Sequence, residues 1–82
     1  MTALHTEPYK RFAQALKEAR LRADLSQYDL ADRLGVDQSY VSKYEAGRRR
    51  LDVVEFLRIA VAMGADYRVI LDPIARDPEL RD

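Results

Sequence analysis

Between Asp37 and Arg50 the chain reads DQSYVSKYEAGRRR. Gln38, Ser39, Ser42 and Lys43 gather amide, hydroxyl and ammonium groups in one short stretch, and Arg48, Arg49 and Arg50 close it with three guanidinium groups. The first set donates and accepts hydrogen bonds in patterned pairs, and the second attracts anions and forks onto them. None of these groups is a nucleophile beside its base. The single histidine, His5, stands far off near the N-terminus, cysteine is absent, and no metal-spaced ligand set is visible. No catalytic residue, metal or cofactor is therefore expected, and the chemistry on offer is recognition rather than catalysis.

The total charge is zero, with 14 Lys/Arg against 14 Asp/Glu, but the charge is unevenly placed. Residues 1–50 hold ten basic against seven acidic side chains, or +3, and residues 51–82 hold four against seven, or −3. Local field rather than net charge steers a polyanion, so the first part is the half to watch. Eighty-two residues are expected to hold one domain with one modest core and no separate sensor domain. No signal peptide and no membrane-spanning apolar run are visible, and a cytoplasmic protein is expected.

The elements that must position the polar stretch are all helical. Phe12, Leu16 and Ala19, flanked by Tyr9 and Ala13, recur at helical intervals and predict a first helix over 9–23. Ser26 and Asp29 form a capping-box signature for a second helix ending at Leu34, with Gly35 as its stop. Asp37 is expected to cap a third, through Glu45, whose inward residues are Val41 and Tyr44; Gly47 stops it. Asp52 and Glu55 repeat the capping logic for a fourth helix to Met63, with Val53, Phe56, Leu57, Ala60 and Met63 as its inward series. Asp66 starts a short fifth helix that Pro73 should end. The expected architecture is an all-α domain over 9–72, with flexible segments at 1–8 and 73–82.

The stretch LSQYDLADRLGVDQSYVSKYEAG, residues 25–47, resembles the helix-turn-helix of the Cro and repressor class, the xenobiotic-response-element (XRE) type of regulator. Ala31, Gly35 and Val41 fill the places where that family has a small residue, a turn glycine and a β-branched plug. The resemblance runs from about Phe12 to Leu71 and implies a five-helix, lambda-repressor-like fold. It also implies that the second helix of the motif enters the major groove of double-stranded DNA. Gln38, Ser39 and Lys43 match base-reading positions: Gln38 could pair with adenine or contact guanine, Lys43 could donate to guanine, and Ser39 could donate or accept. Tyr40 and Ser42 rank below them. Gln27 matches a phosphate contact at a helix N-terminus, and Arg48, Arg49 and Arg50 are expected along the phosphate backbone. Arg20 and Glu45 match an ion pair tying the first helix to the recognition helix; two exposed charges of little consequence are the alternative.

Val54, Val61 and Val69 stand where the family is usually polar. They suggest a homodimer interface that would set two recognition helices about 34 Å apart on a palindromic site. The competing reading folds the C-terminal tail, with Ile74 and Leu80, over these valines. The resemblance thus implies a dimeric transcriptional regulator, a repressor or autoregulator. A restriction-modification controller fits the same features, as does an antitoxin that binds a toxin partner as well as its own promoter.

Overall fold

A computed structural model describes residues 6–81, and the readings that concern His5 and the first residues lie outside them. Five α-helices follow one another: α1 Glu7–Arg22, α2 Gln27–Leu34, α3 Gln38–Glu45, α4 Val53–Met63 and α5 Tyr67–Ala75, with a 3-10 turn over Pro78–Arg81. No strand occurs among the described residues. The all-α expectation and the five-helix order hold.

The helix ends show why the order was legible. Ser26 Oγ accepts from the Asp29 amide at 3.0 Å while the Asp29 carboxylate accepts from the Ser26 amide at 2.9 Å. Asp52 and Glu55 form the same reciprocal pair at 2.7 and 2.9 Å, opening α4. The stop after α2 needs a left-handed residue: Gly35 has φ of +71°, and the Val36 amide then bonds back to the Ala31 carbonyl at 3.0 Å.

Five expectations are corrected. First, α1 begins at Glu7, because the Thr6 hydroxyl accepts from the Tyr9 amide at 3.4 Å and Pro8 sits in the first turn, where no amide is needed; the flexible reading of residues 6–8 does not hold. Second, Asp37 occupies the cap position of α3 without a side-chain hydrogen bond. Third, α5 continues past Pro73 to Ala75. The ring fixes φ at a helical value and removes one hydrogen bond from an exposed stretch, where water can replace it. Fourth, the tail beyond it is not loose: Asp77 is buried, pairs with Arg11 of α1 and accepts from the Glu79 amide at 3.0 Å.

The fifth correction concerns α4. Phe56, Ala60 and Met63 are buried as expected, and so is Ile59, but Val53 is 73% exposed and Leu57 38%. The packed stripe is centred on Phe56 and Met63, with Ile59 and Ala60 at its two margins, so Leu57 lies beyond Ala60 to one side. Val53, in the first turn, reaches no partner that covers it. Leu16 of α1, Leu30 of α2, Val41 and Tyr44 of α3, Ile59 of α4 and Ile70 of α5 are fully buried, so every helix contributes to one core. Phe12 meets Phe56 edge to face at 5.2 Å between centroids and joins α1 to α4.

Candidate nucleic-acid interface

The α2–α3 pair is set by three residues whose sizes decide its geometry. Ala31 is 3% exposed and lets the helices approach, Val41 is fully buried between them, and Gly35 makes the turn. With Val41 and Tyr44 facing the core, the opposite side of α3 is left to its polar residues: Ser39 and Lys43 are exposed, and Gln38 and Ser42 are half-buried.

Beneath this face lies a connected set of hydrogen bonds. Arg20 grips Glu45 with two parallel contacts, Nε to Oε2 at 2.8 Å and Nη2 to Oε1 at 3.0 Å. Its third donor, Nη1, reaches the Leu25 carbonyl at 2.8 Å. The side chains are only 7% and 3% exposed, so the pair is buried and the reading of two exposed charges is set aside. The bond to Glu45 holds the Arg20 pKa above its ordinary value, although burial pulls the other way.

The pair also fixes the two glutamines above it. Gln27 Nε2 donates to Glu45 Oε1 at 3.0 Å, and Gln38 Nε2 donates to Gln27 Oε1 at 2.6 Å. An ionised carboxylate only accepts, so Gln27 must turn its amino group toward Glu45 and its carbonyl toward Gln38. Gln38 must then give one N–H to Gln27. What it keeps for a ligand is one N–H and its carbonyl, the pattern that matches adenine N7 and N6; guanine, with two acceptors, would need two donors. Gln27, expected at phosphate, has its side chain committed as the bridge of this relay.

The arginine cluster divides. Arg48 and Arg50 are exposed and make no ion pair among the described residues, although the Arg50 guanidinium stands 5.9 Å from the Tyr9 ring. Arg49 is held instead: Nη2 donates to Glu55 Oε2 at 2.9 Å and its guanidinium lies 4.5 Å above the centre of the Tyr40 ring. Tyr40 also turns inward, where its hydroxyl donates to Glu55 Oε2 at 3.2 Å and its ring meets Tyr44 edge to face. It does not stand free as an outward DNA contact. Burial first, and then the Glu55 charge, push the Tyr40 hydroxyl pKa up. The Asp52 amide and, next, Arg49 hold the Glu55 carboxyl below its ordinary range.

Two residues of this region carried no functional expectation. Tyr9 accepts from the Leu51 amide at 3.0 Å and donates to the Arg49 carbonyl at 3.4 Å, which pins the arginine loop to α1. Glu55 was legible as a cap, but its second oxygen gathers Arg49 and Tyr40, a role only the tertiary fold reveals. Tyr44 is core, as expected. Its hydroxyl is buried without a hydrogen-bond partner among the described residues, and burial raises its pKa.

The valines are exposed, at 66% for Val54, 80% for Val61 and 61% for Val69. Ile74 and Leu80 do not cover them. Val54 and Val61 share a shallow hollow of about 390 Å³ with Arg33, Leu34 and Leu57, whereas Val69 borders hollows between α1 and α5. The three do not line a single hollow. Among the described residues no cluster of His, Asp or Glu could hold a metal, and no helix is long and apolar enough to cross a membrane.

Comparison with known proteins adds to this geometry. The helix-turn-helix family profile matches residues 16–70. An XRE-family like protein from Pseudomonas syringae pv. tomato is 41% identical, with 87% of each chain covered and a TM-score of 0.80. The restriction-modification controller protein C.AhdI from Aeromonas hydrophila is 37% identical over 76% of this chain and 94% of its own, with a TM-score of 0.69. Control protein C.MunI from a Mycoplasma species is 29% identical over 68 residues, which are 82% of this chain and 92% of the relative.

Proposed function

The chain belongs to the helix-turn-helix family, of the XRE type, and from that premise we propose that it regulates transcription as a cytoplasmic homodimer on a palindromic DNA operator. The observation that carries this reading is the outward row on α3. Gln38, Ser39 and Lys43 face away from a core that Val41 and Tyr44 fill, and the relay from Glu45 fixes which hydrogen-bonding groups Gln38 presents. Such a row meets base edges when α3 lies in the major groove, and Arg48 and Arg50 then run beside phosphate. Exposed Val54 and Val61 supply an apolar surface for a second copy.

Binding titrations on a selected duplex and on a random duplex of equal length test the roles. Gln38→Ala and Lys43→Ala should each lose about 1–3 kcal/mol on the selected duplex and little on the random one. Equal losses on both would reject base reading by these residues.

Within the class, similarity to two proteins named as controllers favours a restriction-modification controller. We infer that the operator lies upstream of the protein's own gene, beside genes for an endonuclease and a methyltransferase. A footprint on that promoter would support the inference, and a protected site at an unrelated locus alone would reject it.

A further inference from the structure

Arg48, Arg49 and Arg50 are chemically identical, yet the fold treats the middle one differently. The Arg49 guanidinium is stacked on Tyr40, paired with Glu55 and donates from Nη1 to the Arg50 carbonyl at 2.9 Å. Its backbone carbonyl accepts from Tyr9, whose hydroxyl also takes the Leu51 amide. Tyr40 belongs to α3 and Glu55 to α4, so this one side chain closes a ring of contacts between the recognition helix, the loop after it and the next helix. Glu55 is in turn fixed by its reciprocal cap with Asp52.

We propose that Arg49 is a positioning residue: its stacked and paired guanidinium fixes the N-terminal half of α3, at Tyr40, and the loop, and Arg48 and Arg50 carry the phosphate charge. The inference rests on the DNA-binding reading above. Its physical basis is local neutrality. A phosphate that took Arg49 from Glu55 would leave that carboxylate unpaired beside the DNA backbone, so the exchange gains little. The paired charge also releases few counterions, whereas an uncommitted arginine that meets phosphate releases about one. Stacking on a ring and forking onto a carboxylate need a planar guanidinium, which an ammonium does not supply.

The test is the salt dependence of binding by the full chain to a selected duplex and to a random one. Arg49→Lys keeps the charge and loses the plane; Arg49→Gln combined with Glu55→Gln removes the pair without changing local net charge and keeps a residue able to cap α4. Both variants should lose about tenfold on the selected duplex, change little on the random one and keep the wild-type slope of log K against log salt. Arg48→Ala and Arg50→Ala should weaken both duplexes alike and make that slope shallower by about 0.9 each. An Arg49→Lys protein that binds like wild type, with a double variant whose slope is shallower by about 0.9, would make Arg49 a phosphate ligand and overturn the proposal alone. A wild-type protein without salt-dependent duplex binding would overturn the DNA-binding reading and the proposal with it.

Discussion

The outward sides of α3 and α4 differ in kind. On α3 the exposed and half-exposed groups are polar, and the most committed of them, Gln38, is tied through Gln27 to a buried ion pair. On α4 the exposed groups are mainly apolar, with Val53, Val54 and Val61 at 66–80% exposure beside Arg58, and no relay of side-chain hydrogen bonds like that under α3 organises them among the described residues. A patterned polar row organised from beneath suits a partner that is read by hydrogen bonds. An unorganised apolar surface suits a partner that is recognised by shape and burial. The same small fold thus offers two surfaces that fail under different substitutions.

The strongest way to break the first surface is to remove its foundation. Glu45→Ala leaves Arg20 buried without its carboxylate and should lower unfolding free energy by about 3–5 kcal/mol in a urea titration. A loss under about 1 kcal/mol would mean that the pair behaves as an exposed one and that the relay has no rigid base. The second surface should respond to Val61→Asp, which places an unpaired charge in the proposed interface. The dimer dissociation constant should rise by more than about tenfold in sedimentation equilibrium, with monomer folding kept. Val69→Asp, lining a different hollow, should do less, and a reversed order would move the interface to the α1–α5 side.

A smaller effect sharpens the comparison. Gln27→Ala cuts the relay and leaves both partners of the Arg20–Glu45 pair in place, so Gln38 can present its amide either way round. Discrimination of adenine from guanine at the Gln38 position should fall by about 1 kcal/mol, with overall affinity falling less. Unchanged discrimination would show that Gln38 is oriented by the DNA rather than by Glu45.

The smallest effect is on pH dependence. Asp29, Glu55 and Asp66 have their pKa values lowered, chiefly by the Ser26 amide, the Asp52 amide and the Arg68 side chain respectively. Lowered carboxylates contribute stability above their ordinary values, 3.8 for Asp and 4.5 for Glu, and lose it as pH falls through the folded ones. Stability should therefore be flat near neutrality and decline below about pH 4.5, and Glu55→Gln should make that decline shallower in pH-dependent thermal melts. An unaltered decline would show that Glu55 is not among the groups responsible.

Much of the fold was legible because its signals are local. The Ser26–Asp29 and Asp52–Glu55 boxes and Gly35 mark helix ends within four residues of chain, and each acts where the sequence places it. Pro73 misled because a proline signal reports a missing amide, and whether that amide matters depends on solvent exposure. Val53 misled because periodicity gives the face of a helix but not how far along it the partner extends. At the site, Gln38, Ser39 and Lys43 could be placed by resemblance, and Arg20–Glu45 with them. The relay through Gln27, the inward turn of Tyr40 and the second oxygen of Glu55 are contacts between residues 6 to 18 positions apart, and only packing brings them together.

The central claim is that α3 reads duplex sequence through a Gln38 whose amide is set from below. Selection of bound duplexes from a random library at near-physiological salt, run in parallel with wild-type protein and Gln38→Ala, tests it most directly. The account predicts a palindromic motif with half-sites about one helical turn apart for the wild type, and loss of preference for adenine at one position of each half-site for the variant. Identical motifs from the two proteins, or no enrichment with either, would contradict it.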